Sequence, residues 1–388
     1  MPEQKTISIL GSSGSIGMQS LEVISSISGN YSLGFLTVNK NIDLLAQQIE
    51  KFNPYGVAIK DEKAYTEFKH KSSFKGKILC GEEGLCEAAS YPECDIVISS
   101  LVGFSGVNPT LAAIRAGKTI ALANKETLVS AGSIITNEAR RHSATIIPVD
   151  SEHNAVLQCL IGEERKSVEK IILTASGGPF LKTSIEEFVN LTVSDALDHP
   201  NWSMGNKVTI DSATMMNKGF EIIEACWLFD YPSDKIDVLI HPQSIVHSMV
   251  QFIDGSVKAQ LGPPDMRLPI AYALSYPGRF ELSFPKLDLT QIVNLSFYHP
   301  DQSRFPCLSL AYEALKTGGT ATSALNAANE IAVEAFLNER ISFTKIPELI
   351  ADSMAKAPYK SEPSLEDIIE CDSATRKICE NYIKSPVN

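Results

Sequence analysis

The sequence predicts an α/β protein with an N-terminal Rossmann-type parallel-sheet domain, an α/β catalytic domain and a C-terminal α-helical bundle domain. Three observations predict it. Short apolar runs alternate with amphipathic stretches up to about residue 150, a glycine-rich turn, "GSSGSIG", follows the first of those runs, and the segments beyond residue 305 carry helical spacing. At 388 residues the chain exceeds one ordinary hydrophobic core, so more than one domain is expected.

The elements follow in order. "TISIL" (6–10), "LGFLTV" (33–38), "GVAI" (56–59), "DIVIS" (95–99), "TIALA" (119–123) and "ATIIPV" (144–149) have the composition of buried strands. Between them, stretches such as "SLEVISSI" and "NIDLLAQQIEKF" are amphipathic helices, and strand-helix alternation of this kind implies a parallel sheet covered on both faces. From 151 to 275 the pattern changes: "KIILTAS", "KVTID", "DVLIHP" and "SIVHSMVQF" are expected as strands, with a helix around 212–229. Loops there are rich in Gly, Pro, Ser and His, the residues of turns and of sites. Residues 276–305 form a Pro-dotted connector, and 306–388 form the helical bundle domain. The expected division is therefore 1–150, 151–275, 276–305 and 306–388.

Composition narrows the function classes. Hydrophobic residues make up 44% and charged residues 21%, as in a globular chain, and the net charge of −12 argues against a nucleic-acid or anionic-membrane partner. No apolar run approaches the roughly 18 residues of a membrane span. The eight cysteines form no CxxC pair, and many lie in apolar periodic segments, so reduced thiols and a cytoplasmic location are expected.

"GSSGSIG" places Gly11, Gly14 and Gly17 between a strand and a helix, where small residues let backbone amides approach a pyrophosphate. An ordinary tight turn is the plainer reading; the position at the first strand of a parallel sheet favours a nucleotide. The second strand ends in Asn39, Lys40 and Asn41 without the acid that would bind the 2′-hydroxyl of NAD. NADP is therefore favoured, with Lys40 either facing the extra phosphate or simply solvated. "ALANKET" sets Asn124, Lys125 and Glu126 at another strand end, where ligands of open α/β sheets bind.

"VDSEHN" presents Asp150 and Glu152 two residues apart, on one side of an extended chain. Carboxylates that close need a cation or a proton, and an all-oxygen pair suits Mg²⁺ or Mn²⁺; a solvated turn is the common alternative. In "DSATMMNKGFEIIEACWLF", helical spacing puts Asn217, Lys218 and Glu221 on one face of a helix whose other faces are largely apolar, which points to a site. "TASGGPF" offers the Ser176 hydroxyl with the Gly177 and Gly178 amides, and Ser212, Asn217 and Lys218 add donors for a phosphate. In "DHPNWSMG", His199 and Trp202 fit a flap that covers a substrate, or a capped turn and a core tryptophan. His241 and His247 have the setting of structural residues.

Together, "GSSGSIG", "ALANKETLV", "PVDSEHNA", "TASGGPF", "HPNWSMG", "MNKGFEIIEA", "IHPQSIVHSMV", "PPDMRLPIAYAL" and "LNAANEIAV" closely resemble the 1-deoxy-D-xylulose 5-phosphate reductoisomerase family along nearly the whole chain. The resemblance implies an NADPH-binding domain (1–150), a catalytic metal- and substrate-binding domain (151–275), a connector, a helical domain and a homodimer. It implies Asp150, Glu152 and Glu221 as ligands of Mg²⁺ or Mn²⁺ and sets Lys125 in the family's active-site NKE motif, which makes Glu152 and Lys125 the candidates for assisting proton movement. Ser151, Ser176, His199, Ser212, Asn217 and Lys218 match substrate-contacting positions, with Lys125, Glu152, Trp202 and Glu221 beside them. Ser13, Gly14, Ser15, Ile16, Asn39, Lys40, Asn41, Asn124, Glu126 and Gly205 match cofactor-contacting positions. The implied reaction rearranges a keto-sugar phosphate and reduces the resulting aldehyde with NADPH. A simple NADP-dependent sugar dehydrogenase would share the nucleotide half but would not need three carboxylates. A non-catalytic NADP-sensing module would share it too, but would not need Lys125, Glu152 and Glu221 to converge at all.

Overall fold

The computed structural model describes residues 4–27, 29, 31–202 and 204–384; the outer limits of the expected first and last domains, residues 1 and 388, lie outside the described residues. By contact density the chain divides into two compact units. The first comprises Met1–Thr127, Ile135–Asn154 and Asp265–Pro285; the second comprises Leu128–Ile134, Ala155–Pro264 and Lys286–Asn388.

The N-terminal part runs β1 (Lys5–Leu10), α1 (Ser15–Ser26), β2 (Tyr31–Val38), α2 (Ile42–Phe52), β3 (Gly56–Ile59), α3 (Glu62–Lys71), β4 (Lys77–Cys80) and α4 (Gly81–Ala89). It continues with β5 (Ile96–Ser99), α5 (Val107–Arg115), β6 (Thr119–Leu122), α6 (Lys125–Arg141), β7 (Thr145–Pro148) and α7 (Ser151–Leu160). The seven strands form one sheet in the order β4-β3-β2-β1-β5-β6-β7, and every pairing is parallel. Ile7 of β1 pairs with Leu33 on one side and Ile96 on the other, so the order reverses at β1 and β5, the switch point at which such sheets bind ligands. The fully buried run Ile7–Leu10 and the buried β5 explain why these strands read as continuous apolar stretches.

The second half contains β8 (Val168–Ala175), α8 (Val193–Leu197), α9 (Asn206–Ala213), α10 (Met216–Phe229), β9 (Ile236–Ile240), β10 (Val246–Phe252) and β11 (Val257–Leu261). Then come α11 (Arg267–Ser275), α12 (Pro306–Thr317), α13 (Ala321–Leu337), α14 (Lys345–Lys356) and α15 (Leu365–Lys384). The sheet order is β11-β10-β8-β9, with β10 antiparallel to both β8 and β11 and β9 parallel to β8. One hydrophobic cluster joins this sheet to α10, α12, α13 and α14. Phe220, wholly buried in it, contributes about 2–3 kcal/mol of burial free energy.

The fold class is as expected, and several elements differ. "KVTID" is not a strand but the body of α9: its β-branched residues favour a strand locally, yet Gly205 starts a helix whose Thr209 and Ile210 are buried. The single helix expected at 212–229 is two, α9 and α10, separated by Met215 in the left-handed region at φ +63°. Asp150 and Glu152 do not lie on extended chain. Asp150 accepts the first helical bond of α7 through its carbonyl, from Asn154 at 2.8 Å, and Glu152 sits in the first turn, where acids oppose the helix dipole. Strands β4 and β11 and helix α11 were not anticipated. The contact-based units also differ from the expected boundaries, because α11 belongs with the first sheet and the C-terminal helices belong with the second. Among the described residues, no helix is long and apolar enough to cross a membrane.

Candidate active site

At the switch point of the first sheet, Gly11 has φ +88°, and a Cβ there would lie 2.8 Å from the Ser100 carbonyl oxygen at the end of β5. Gly17 is just as constrained: a Cβ would lie 2.3 Å from the Gly11 carbonyl oxygen, so α1 seats against the loop only because the residue is glycine. Helix α1 begins after Gly14 with no side-chain cap and no acid in its first turn. The amides of Ser15 and Ile16 therefore head a positive helix end without a competing local acceptor, as an anion site needs. Ser12 braces the turn from below, its Oγ donating to Gln48 Oε1 at 2.7 Å. At the tip of β2, Asn39, Lys40 and Asn41 are exposed. Asn41 caps α2 through Leu44, and Lys40 lies 3.8 Å from Asp61.

Asn124 is buried and caps α6, accepting the Thr127 amide at 2.9 Å while its Nδ2 donates to Gly103 O at 3.0 Å. Its side chain is thus committed to tying the β6 loop to the β5 loop. This orientation launches Lys125, whose Nζ lies 2.5 Å from Asp150 Oδ2 with both side chains 11% exposed. Ser151 Oγ donates to Glu152 Oε2 at 2.6 Å. The first unit therefore pairs Lys125 with Asp150 and Ser151 with Glu152 at adjacent positions.

The second unit supplies the remaining candidates. His199 Nδ1 accepts the amides of Asn201 at 3.2 Å and Trp202 at 3.0 Å, which places the imidazole proton on Nε2. Nε2 lies 3.1 Å from Ser176 Oγ, and the Gly178 amide also donates to that oxygen at 3.2 Å. With both acceptor positions used, the Ser176 hydroxyl proton remains to be donated to a ligand. Burial lowers the His199 pKa, which favours this neutral form. Gly178, at φ +67°, is pressed against the end of α9: a Cβ would lie 2.7 Å from the Ser212 carbonyl oxygen. On α10, Glu221 is fully buried; Asn217 Nδ2 donates to its Oε1 at 2.5 Å and Lys218 pairs with its Oε2. Gly205 is exposed at the start of α9. His241, as expected of a structural residue, is buried, with Nδ1 2.9 Å from Ser296 O.

The donor chemistry fits a hard divalent cation. Asp150, Glu152 and Glu221 are oxygen donors, and two of them are held beside lysine ammonium groups, Lys125 and Lys218. An ionised carboxylate as buried as Glu221 requires a cation nearby, and all-oxygen donors prefer Mg²⁺ or Mn²⁺ to zinc. The glycine cradle and open helix end at α1 equally fit a dinucleotide.

Three family models match: 1-deoxy-D-xylulose 5-phosphate reductoisomerase over residues 7–132, its C-terminal domain over 146–229, and the DXP reductoisomerase C-terminal domain over 261–378. A 1-deoxy-D-xylulose 5-phosphate reductoisomerase of Geobacillus sp. (strain WCH70) is 55% identical over 98% of this chain and 99% of its own length. The chain belongs to the 1-deoxy-D-xylulose 5-phosphate reductoisomerase family.

A relative of the same description in Chloroherpeton thalassium is 53% identical over 96% of this chain and 97% of its own. The solved reductoisomerase from Zymomonas mobilis in complex with NADPH is 42% identical, with a TM-score of 0.91, covering 99% of this chain and 100% of that one. A reductoisomerase structure in complex with NADPH, fosmidomycin and magnesium is 44% identical, with a TM-score of 0.92 and 98% of each chain covered.

Residues that the sequence reading passed over are Lys207, Asp211 and Asn329. Asp211 Oδ1 accepts from Asn329 Nδ2 at 2.7 Å and Oδ2 lies 2.8 Å from Lys207 Nζ. Asparagines in the middle of an apolar helix, in "LNAANEIAV", were the available signal. Arg304 was also missed; it donates to the carbonyls of Phe180 at 3.0 Å and Leu181 at 3.2 Å, anchoring the turn that follows the Ser176 loop.

Proposed function

We propose that the chain converts 1-deoxy-D-xylulose 5-phosphate to 2-C-methyl-D-erythritol 4-phosphate, using NADPH and Mg²⁺ or Mn²⁺, in the non-mevalonate route to isoprenoid precursors. Family membership along nearly the full length carries the reaction. The buried lysine–carboxylate pairs support the assignment of its residues.

Asp150, Glu152 and Glu221 would hold the metal. Ser13, Gly14, Ser15 and Ile16, with Asn39, Lys40 and Asn41, would hold NADPH, with Asn124, Glu126 and Gly205 completing its contacts. When bound, NADPH supplies the hydride and the metal supplies Lewis-acid polarisation of the substrate oxygens.

The chain's own residues do the rest. The Ser176 hydroxyl proton, the Ser212 hydroxyl, Asn217 and the Lys218 ammonium bind the substrate phosphate and fix the sugar at one end, so that its two carbon fragments stay in register. The Glu152 carboxylate takes a proton from a substrate hydroxyl while the Lys125 ammonium gives one to the oxygen that develops charge. Ser151 orients Glu152 through its 2.6 Å hydrogen bond. Trp202, held by the His199 contact to its amide, covers the substrate and excludes water.

The functional division 1–150, 151–275, 276–305 and 306–388 belongs to the same proposal, as do a homodimer and a cytoplasmic location. The exposed apolar side chains of Leu289, Val293 and Tyr298 in the connector support association, and eight free cysteines suit a reducing compartment. Asp150→Asn tests the residue assignment: metal-dependent turnover should fall at least about a hundredfold while NADPH binding by fluorescence titration persists. Equal loss of both would overturn it.

A further inference from the structure

Helix α13 carries "LNAANE" within an otherwise apolar helix, and nothing in the proposed chemistry uses it. Asn329 is completely buried. Its Nδ2 donates to Asp211 Oδ1 at 2.7 Å, across 118 positions of sequence, while its own Oδ1 has no partner among the described residues. An unmet buried acceptor is costly, so what the Asn329 amide contributes here is its donor.

The acceptor is as unusual as the donor. Asp211 is 2% exposed at its side chain, and its second oxygen faces Lys207 Nζ at 2.8 Å, one helical turn earlier. The Lys207 ammonium also lies 4.9 Å from the centre of the Phe220 ring. Both carboxylate oxygens are thus engaged, one within α9 and one from α13. The bond within α9 moves with the helix; the bond from Asn329 ties the helix to α13.

That tie bears on the site. Helix α9 has only eight residues, follows Gly205 a short way after the His199–Trp202 segment, and reaches Ser212 immediately after Asp211. The Ser212 carbonyl in turn limits the Ser176 loop, since a Cβ on Gly178 would lie 2.7 Å from it. A small rotation of α9 would displace Ser212 and the loop packed on it together.

We propose that Asn329, acting through Asp211, is a positioning residue for substrate binding: it fixes the rotation of α9 and thereby the place of Ser212 in the phosphate pocket. The inference rests on the assignment of Ser176, Ser212, Asn217 and Lys218 to the substrate phosphate.

The test compares Asn329→Asp, Asp211→Asn and the double variant Asp211→Asn/Asn329→Asp, which exchanges the two groups and restores one amide facing one carboxylate. Steady-state kinetics with 1-deoxy-D-xylulose 5-phosphate and NADPH are measured beside thermal unfolding, with Ser212→Ala as control. Each single variant should raise KM for the sugar phosphate about tenfold and leave KM for NADPH unchanged, and the exchange should recover most of the loss. Singles that lower the unfolding temperature without moving that KM, or an exchange that recovers nothing, would overturn the proposal. If Asn329→Asp does not fold, Asp211→Asn and the exchange carry the same comparison. Ser212→Ala separates the two levels: if it leaves KM unchanged the phosphate assignment fails, whereas if it raises KM and the Asn329 and Asp211 variants do not, only the positioning inference fails.

Discussion

His199 shows how much one side chain can decide. Its Nδ1 accepts two flap amides and its Nε2–H faces Ser176, an arrangement available only to the neutral ring. Burial lowers its pKa, so the folded state binds this proton less readily than the unfolded state does. The associated stability is complete above the unfolded value of about 6.5 and declines as pH falls toward the lower folded value. Acidification from pH 7 should therefore release the flap, and in a Trp227→Phe background the fluorescence of Trp202 should report it with a midpoint below about 6.5. A midpoint at or above that value would contradict the tautomer assignment. Lys218 makes a second residue-scale prediction. Its removal in Lys218→Met leaves Glu221 buried without its lysine, which should cost about 3–5 kcal/mol in urea unfolding. Adding Glu221→Gln should return part of that stability; no recovery would mean that the pair is not what the site depends on.

At the scale of elements, the glycine turns are the sharpest test. Gly17→Ala would put a Cβ 2.3 Å from the Gly11 carbonyl oxygen and 2.6 Å from Ser12 Cα, both rigid backbone, so α1 must move off the loop. NADPH affinity should fall about tenfold while binding of the sugar phosphate, followed by calorimetry, is retained. Gly178→Ala, at φ +67° and 2.7 Å from Ser212 O, should do the reverse and weaken the sugar phosphate. These turns were legible in the sequence because glycine at a strand end has few other uses. So were the buried strands, whose apolar runs reflect helices on both faces of a parallel sheet. What misled was local propensity against tertiary context: "KVTID" contains three β-branched residues, yet forms α9 because burial of Thr209 and Ile210 outweighs their preference. The DSE motif looks like the tip of an extended strand, yet acids there equally suit the first turn of a helix, which is where Glu152 lies. The short edge strands β4 and β11 escaped notice because neither has the fully buried run of a central strand. The asparagines of "LNAANEIAV" mark a polar contact but not its partner, because nothing local links Asn329 to Asp211, 118 positions away.

Over the whole molecule, the glycine cradle and the residues proposed for the substrate phosphate fall in different compact units, both discontinuous in sequence. The glycine cradle, Lys125, Asp150 and Glu152 belong to the first; the Ser176–His199 pair, Ser212 and the Asn217–Lys218–Glu221 group belong to the second. Cofactor binding should therefore survive damage to the phosphate pocket, and substrate binding should survive damage to the glycine turn. The reaction itself demands both. The most direct measurement is turnover of 1-deoxy-D-xylulose 5-phosphate by the purified protein with NADPH and Mg²⁺ or Mn²⁺, following NADPH absorbance and identifying the product. The proposed reaction gives metal-dependent NADPH oxidation matched one for one by 2-C-methyl-D-erythritol 4-phosphate. NADPH oxidation without the branched product, or no oxidation with the metal present, would contradict it.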